Sequence, residues 1–263
     1  CAFRHSCKVR TIMERITSRQ NPTVKKLRAL AKDKDFRMEC GEFICDGEKL
    51  LSEALHENFE ITNLLISEDF KGDVASLPER NCYVAPQDIL DSITTLKTAQ
   101  SVIFSCRMKK ASPENISSAI LLDRLQDTGN IGTIIRTADA FGIDAVFCDG
   151  CADVYNPKTI RSAMGSIFRV PVIYEDFLSF IPHLRENGRK VYCSELYGDV
   201  KSISECSPKG AFVIIGNEGN GVRPEISAIC DGSLIIPMKG SAESLNAAVA
   251  AAIFMYEMSG ENE

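Results

Sequence analysis

The sequence predicts an α/β protein in which a smaller α/β domain precedes a larger one built on a mainly parallel sheet with helices on both faces. Three observations carry this expectation. From Ser117 onward, short apolar segments alternate with helical patterns, as in βα units. Several of those apolar segments run into glycines or small polar residues, as strand ends do at ligand sites of α/β folds. A polar stretch with a proline, Arg107 to Asn115, separates the regular second half from the first hundred residues. The chain of 263 residues is long enough for one large or two modest domains and a substantial core.

In the first half, Val24 to Lys32 reads as a helix and Glu42 to Cys45 as a strand, followed by a helix from Gly47 to His56. Apolar runs at 61–66, 81–84 and 101–106 read as strands. Pro86 opens a short helix lined by Ile89, Leu90 and Ile93. The expected boundaries are a first domain at 14–105, a linker at 106–116 and a second domain at 117–263. In the second, apolar segments place strands at 119–123, 145–148, 170–173, 190–194, 211–215 and 233–236. Helices fall between them at 130–141, 157–165, 177–187 and 224–230, with a last one at 244–257. That last segment carries no charge from Ser244 to Tyr256 and is apolar on every side, so burial all round is expected. It is too short for a bilayer, which needs roughly 20 residues.

Composition excludes several classes. Hydrophobic content of 44% and charged content of 25% are ordinary for a soluble globular protein. No apolar run is long enough for a membrane span, and the first 20 residues have no apolar block of the signal-peptide kind, so a cytoplasmic location is expected. Met13 reads as a natural start, and residues 1–12 are set aside as an upstream extension. The 11 cysteines are scattered and odd in number, which argues for reduced, mostly buried thiols over a disulfide framework. Cys148 and Cys151 form a lone CxxC, and His5, His56 and His183 have no metal-ligand spacing, so no metal site and no histidine-based triad are expected. The formal charge of −6 is unevenly spread. Residues 1–37 hold eleven Lys/Arg against three Asp/Glu, a net of +8, leaving −14 for the remainder. A basic arm on an acidic body suits phosphate attraction at one end.

Three segments stand where strands give way to loops or helices. In Asn130 to Phe141, Ile131, Ile134, Ile135, Ala138 and Phe141 form an apolar stripe, with Arg136 opposite it. Gly132, one turn earlier, is expected to leave an open surface beneath the guanidinium, and Asn130 stands where an N-cap would. The second segment, Ile215 to Val222, carries Gly216, Gly219 and Gly221 around Glu218. Its GxxGxG spacing fits neither a dinucleotide fingerprint nor a P-loop. The third runs from Ile236 through Pro237, Met238 and Gly240 to Ser244-Leu245-Asn246, with Ser244 as the expected cap of the last helix. Singly, each has a plain reading as core stripe, exposed turn or helix cap. Their order and their common position after strands argue for one ligand site.

In this order the three segments resemble the motifs of the SpoU/TrmH-type RNA ribose 2′-O-methyltransferases of the SPOUT superfamily. Arg19-Gln-Asn-Pro22, Lys26-Leu-Arg28 and the stretch from Phe43 to Ala54 are similar to the RNA-binding domain, related to a ribosomal protein, that is fused to many of these enzymes. The resemblance implies a trefoil-knotted catalytic domain that buries the last helix, and S-adenosyl-L-methionine as cofactor. It also implies a homodimer through the C-terminal domain, with each active site completed across the interface. Gly216, Ile236 and Leu245, with Asn217, Gly221 and Met238, fall on positions that surround the cofactor. Asn130, Arg136, Glu218, Ser244 and Asn246 fall on positions linked with catalysis and ribose placement, with Glu218 orienting Arg136 or Asn246. The implied substrate is RNA, ribosomal in preference to transfer RNA. A transfer-RNA methyltransferase, a non-catalytic ribosome-assembly factor on the same fold, and an unrelated Rossmann-type nucleotide enzyme are the rival readings. The missing GxGxxG and Walker lysine count against the last.

Overall fold

The computed structural model describes residues 13–74, 77–78 and 80–260. The expected upstream extension, 1–12, lies outside them. Two compact units divide the chain between Arg107 and Met108.

The first unit contains β1 (Glu14–Arg15), α1 (Pro22–Lys32), α2 (Lys34–Cys40), β2 (Glu42–Asp46), α3 (Glu48–His56), β3 (Ile61–Ser67), β4 (Cys82–Ala85), α4 (Gln87–Asp91) and β5 (Val102–Arg107). Its sheet runs β1-β4-β3-β5-β2, parallel among the first three strands and antiparallel from β3 through β5 to β2. Because β5 runs to Arg107, the chain stays paired in this sheet into the first residues of the stretch expected as a linker. Asn21 caps α1 by accepting from the Thr23 amide, with Pro22 in the first helical turn, where its missing N–H costs nothing. The helix buries Val24, Leu27 and Leu30 in a core shared with Ile44, Leu65 and Ile103.

Helix α2 and strand β1 are absent from the sequence reading. Asp33 ends α1 where the sequence reading ended it and at once caps α2, its Oδ1 accepting from the amides of Asp35 and Phe36. Internal pairing also consumes much of the basic arm. Arg15 pairs with Glu68, Arg19 with Asp88 at 2.9 Å and Lys26 with Glu42 at 2.9 Å, while Arg28 donates to Ser92. Lys25, Lys32 and Lys34 stay exposed and unpaired among the described residues.

The second unit contains β6 (Ala119–Asp123), α5 (Thr128–Ala140), β7 (Ala145–Asp149), α6 (Pro157–Ala163), β8 (Val172–Tyr174), α7 (Phe177–Glu186), β9 (Val191–Ser194), β10 (Val200–Ser202), β11 (Phe212–Ile215), α8 (Pro224–Ser227), β12 (Gly232–Ile235) and α9 (Ala247–Ser259). Its seven strands run β10-β12-β9-β11-β6-β7-β8, and every pairing is parallel. The central strands β6 and β11 are buried along their whole length, which is why they read as unbroken apolar runs. Strand β10 escaped the sequence reading because Val200-Lys-Ser202 has neither an apolar run nor a full alternation.

Four expectations about helices need correction. Asp127, not Asn130, caps α5, its Oδ1 accepting from the Asn130 amide at 2.8 Å. Asn246, not Ser244, caps α9, taking the amides of Ala248 and Val249. Gly132 leaves no open surface under Arg136. It is buried against α6, where an added Cβ would stand 2.5 Å from the Thr159 carbonyl oxygen and 2.6 Å from the Ser162 Cβ. Nor is α9 buried all round within one chain. Ala247, Ala251, Phe254, Met255 and Met258 pack inward, while Val249 and Tyr256 are 49% and 52% exposed.

The Gly132 contact yields a test. Gly132→Ala should destabilise the protein by about 1–3 kcal/mol, because the backbone of α6 cannot give way as a flexible side chain would. Denaturant titration measures this, and unchanged stability would mean that α5 and α6 are not in close contact there.

Candidate active site

All strands of the second sheet are parallel, so their C-terminal ends share one edge. The loops there meet where the order of connection reverses, between β6 and β11, the usual place for a ligand crevice. A cavity of about 710 Å³ opens at this edge, walled by the loops after β9, β11 and β12 and by the start of α9. Gly216, Asn217, Gly221, Ile236, Met238 and Leu245 all line it. So do Glu218, Ser244 and Asn246.

The loop after β11 folds back on itself tightly. A Cβ on Gly216 would fall 2.1 Å from the carbonyl carbon of Gly221, so only glycine fits. Gly221 has φ of 69°, in the left-handed region. Asn217 and Gly221 exchange backbone hydrogen bonds of 3.0 and 2.9 Å. The Asn217 side chain ties the loop to itself and to the end of β6: Oδ1 accepts from the amides of Gly219 and Asn220, and Nδ2 donates to the Arg124 carbonyl at 2.9 Å. Asn217 therefore shapes the cavity wall by holding its backbone in place.

At the tip of this loop Glu218 accepts from the Asn130 side chain at 3.1 Å. Asn130 in turn accepts from Asn246 Nδ2 at 3.0 Å. The carboxylate also faces the backbone amides of Gln126 and Asp127, each at 3.4 Å. Both ends of this line force its polarity. A carboxylate only accepts, so Asn130 must turn its NH₂ toward Glu218 and its oxygen toward Asn246. The oxygen of Asn246 is claimed by the two amides that it caps, which leaves its NH₂ for Asn130. Partial burial pushes the Glu218 pKa up. Its own amide, Asn130 and the amides of Gln126 and Asp127 outweigh that, and the group ends below the ordinary glutamate range. Glu218 is ionised at neutral pH, a strong acceptor and a weak base.

Glu218 thus reaches Asn246 through Asn130 and does not orient Arg136. Arg136 is exposed on α5, forms no hydrogen bond or ion pair among the described residues, and is not on the cavity wall. Ser244 is exposed and likewise without a hydrogen bond among the described residues. Sequence reasoning overlooked Asp127, three residues before Asn130 and at the spacing of an N-cap. It also overlooked the segment from Ser194 to Tyr197, which lines the cavity. The rule that sites gather at the C-terminal ends of parallel strands would have found that segment, since it follows the strand expected at 190–194.

A second, shallower groove runs between α5 and α9. Thr133, Thr137 and Phe141 line one side, and Val249, Ile253 and Tyr256 the other.

Comparison with known proteins accords with this geometry. The model of the SpoU rRNA Methylase family matches residues 117–256, and that of the MRM3-like substrate binding domain matches residues 21–103. The chain is 36% identical over 249 residues to the 23S rRNA (guanosine(2553)-2′-O)-methyltransferase RlmP of Bacillus subtilis, an alignment covering 94% of this chain and all of that one. It is 29% identical to the 23S rRNA (uridine(2479)-2′-O)-methyltransferase of Streptomyces viridochromogenes, over 92% of this chain and 91% of the other. Among solved structures, the AdoMet-bound rRNA methyltransferase of Sinorhizobium meliloti superimposes with a TM-score of 0.83 at 29% identity, covering 94% of this chain and 97% of that one. The chain belongs to the SpoU rRNA Methylase family.

Proposed function

We propose that this protein transfers a methyl group from S-adenosyl-L-methionine to a ribose 2′-hydroxyl of ribosomal RNA. The observation that carries the proposal is the line Glu218–Asn130–Asn246 at a cavity lined by every residue expected to surround the cofactor. The cavity suits that cofactor, being within the usual range of roughly 300–1,000 Å³ for small-molecule sites. Ile236, Met238 and Leu245 offer apolar surface for a purine ring, and the Gly216–Gly221 backbone offers polar groups at close approach. The bound sulfonium supplies an already electrophilic methyl group. What the protein must do is align the 2′-oxygen and manage one proton.

The chain's own residues divide that work. Asn130 and Asn246 each keep a second amide N–H beyond the line, available to a ribose oxygen. Glu218 holds Asn130 in one orientation as the α9 cap holds Asn246, and its lowered pKa makes it unsuited to take the proton at neutral pH. Arg136 stabilises the developing alkoxide and holds the target phosphate, while the proton passes to water, since a guanidinium has donors only and no lone pair to accept it. Ser244 lies on the cavity wall as a further donor or acceptor.

The protein acts as a homodimer in which the α5–α9 groove, with its exposed Val249 and Tyr256, is covered by a second copy. This brings the Arg136 of one protomer to the cavity of its partner and explains its isolation in the single chain. Residues 14–105 choose and grip the RNA, 106–116 connect, and 117–263 carry out methyl transfer. Full-length likeness to two enzymes named for 23S rRNA favours ribosomal over transfer RNA. A cytoplasmic location goes with that substrate, and no helix among the described residues is long and apolar enough to cross a membrane.

Complementation tests the arrangement. Arg136→Ala and Glu218→Gln should each slow single-turnover methyl transfer by about 100-fold or more, the scale for loss of a transition-state donor. Co-expressed in equal amounts, the two variants should regain about a quarter of wild-type activity, because half the dimers carry one intact site. No recovery would place Arg136 in its own chain's site.

RNA affinity should fall steeply with salt. Replacing Lys25 and Lys32 by Ala should lower the slope of log affinity against log salt by about 2, one for each phosphate that no longer meets a lysine. An unchanged slope in filter binding would show that α1 presents a merely solvated face.

A further inference from the structure

Asp123 and Asp149 end the adjacent strands β6 and β7 and face each other directly in register. Two carboxylates in that position repel, and Asp123 is fully buried. The counter-charge comes from Arg223, which follows the loop after β11. Its backbone amide donates to Asp123 Oδ2 at 2.8 Å and its Nε to Asp123 Oδ1 at 2.7 Å. Its Nη2 donates to Asp149 Oδ2, which also accepts from the Phe177 amide at 3.1 Å. Arg124 Nε stands 3.7 Å from Asp123, an ion pair that adds positive charge but no hydrogen bond and does not reach across to a second strand.

The consequence lies in the strand order. β11 and β7 flank β6 on opposite sides, so Arg223 reaches across β6 to grip the ends of two strands at once. The segment so anchored begins at Gly216 and contains Glu218. Its position determines whether Glu218 meets Asn130 on the helix that follows β6. We infer that Arg223, through its fork on Asp123 and Asp149, is the positioning residue that locks the Gly216–Val222 loop in the geometry methyl transfer requires. This rests on the functional reading above and adds to it a residue that is not on the cavity wall. The fork is the essential feature, because a lysine supplies the charge but cannot span both carboxylates.

Arg223→Lys and Asp149→Asn test the inference. The lysine variant keeps a cation beside buried Asp123. The asparagine variant keeps the oxygen that the Phe177 amide and Arg223 Nη2 share and removes the charge that strengthens that arm of the fork. Each is measured for melting temperature, kcat and KM for RNA, and amide hydrogen exchange. A folded Arg223→Lys protein should lose about 100-fold in kcat, the scale of an ångström-sized misplacement, with KM for RNA unchanged. Asp149→Asn should show a smaller loss of the same kind. Exchange should quicken at 216–222 and at Gln126 and Asp127, and remain slow in β6 and β11. General structural damage would instead raise exchange across the sheet. Wild-type kcat in either folded variant, or exchange at 216–222 no faster than wild type, would overturn the inference. If Arg223→Lys fails to fold, Asp149→Asn decides alone. Should the wild-type enzyme transfer no methyl group to RNA, the functional reading fails, while the exchange measurement still judges the clamp.

Discussion

The carboxylate of Glu218 is the constraint on which the site depends. It is ionised, it only accepts, and the groups it draws in come from two places: the Gln126–Asp127 turn and the side chain of Asn130. Through Asn130 it also reaches Asn246, 116 positions further along the chain. One charge at one end and one helix cap at the other thereby orient two neutral amides. The tight turn at Gly216 and the internal bonds of Asn217 make sense as means of presenting that carboxylate.

The parallel sheet makes the convergence possible. Segments after β9, β11 and β12 are distant in sequence, yet a sheet with every strand pointing the same way delivers their C-terminal ends to one edge. The same architecture leaves one side of the last helix uncovered in the single chain. Helix α9 has no polar face, and one sheet covers only part of it, so Val249 and Tyr256 stay in the open. The dimer proposed above would cover that side and give Arg136 a partner site.

Much of this was legible in the sequence. The buried strands β6 and β11 announced themselves as apolar runs, and the glycines after β11 marked a close backbone approach. All six residues expected around the cofactor line one cavity. The errors share a physical origin. Asp, Asn and Ser all cap helices, so the identity of the residue does not say where a helix begins: Asp127 displaced Asn130, and Asn246 displaced Ser244. Gly132 was read as open surface because its neighbour, α6, is a tertiary contact with no local signal. The basic arm was overcounted for the same reason, since Glu68 and Asp88, which pair with Arg15 and Arg19, lie far along the chain. The missing strand β10 has too few apolar residues to show a period.

The central claim is methyl transfer to a ribose 2′-oxygen of ribosomal RNA, and the most direct measurement maps 2′-O-methyl groups in ribosomal and transfer RNA from cells with and without the gene. The account predicts that a ribosomal RNA position loses its methyl group when the gene is absent and regains it with the wild-type gene but not with a Glu218→Gln copy. Identical maps in both strains, or a lost methyl group confined to transfer RNA, would contradict it.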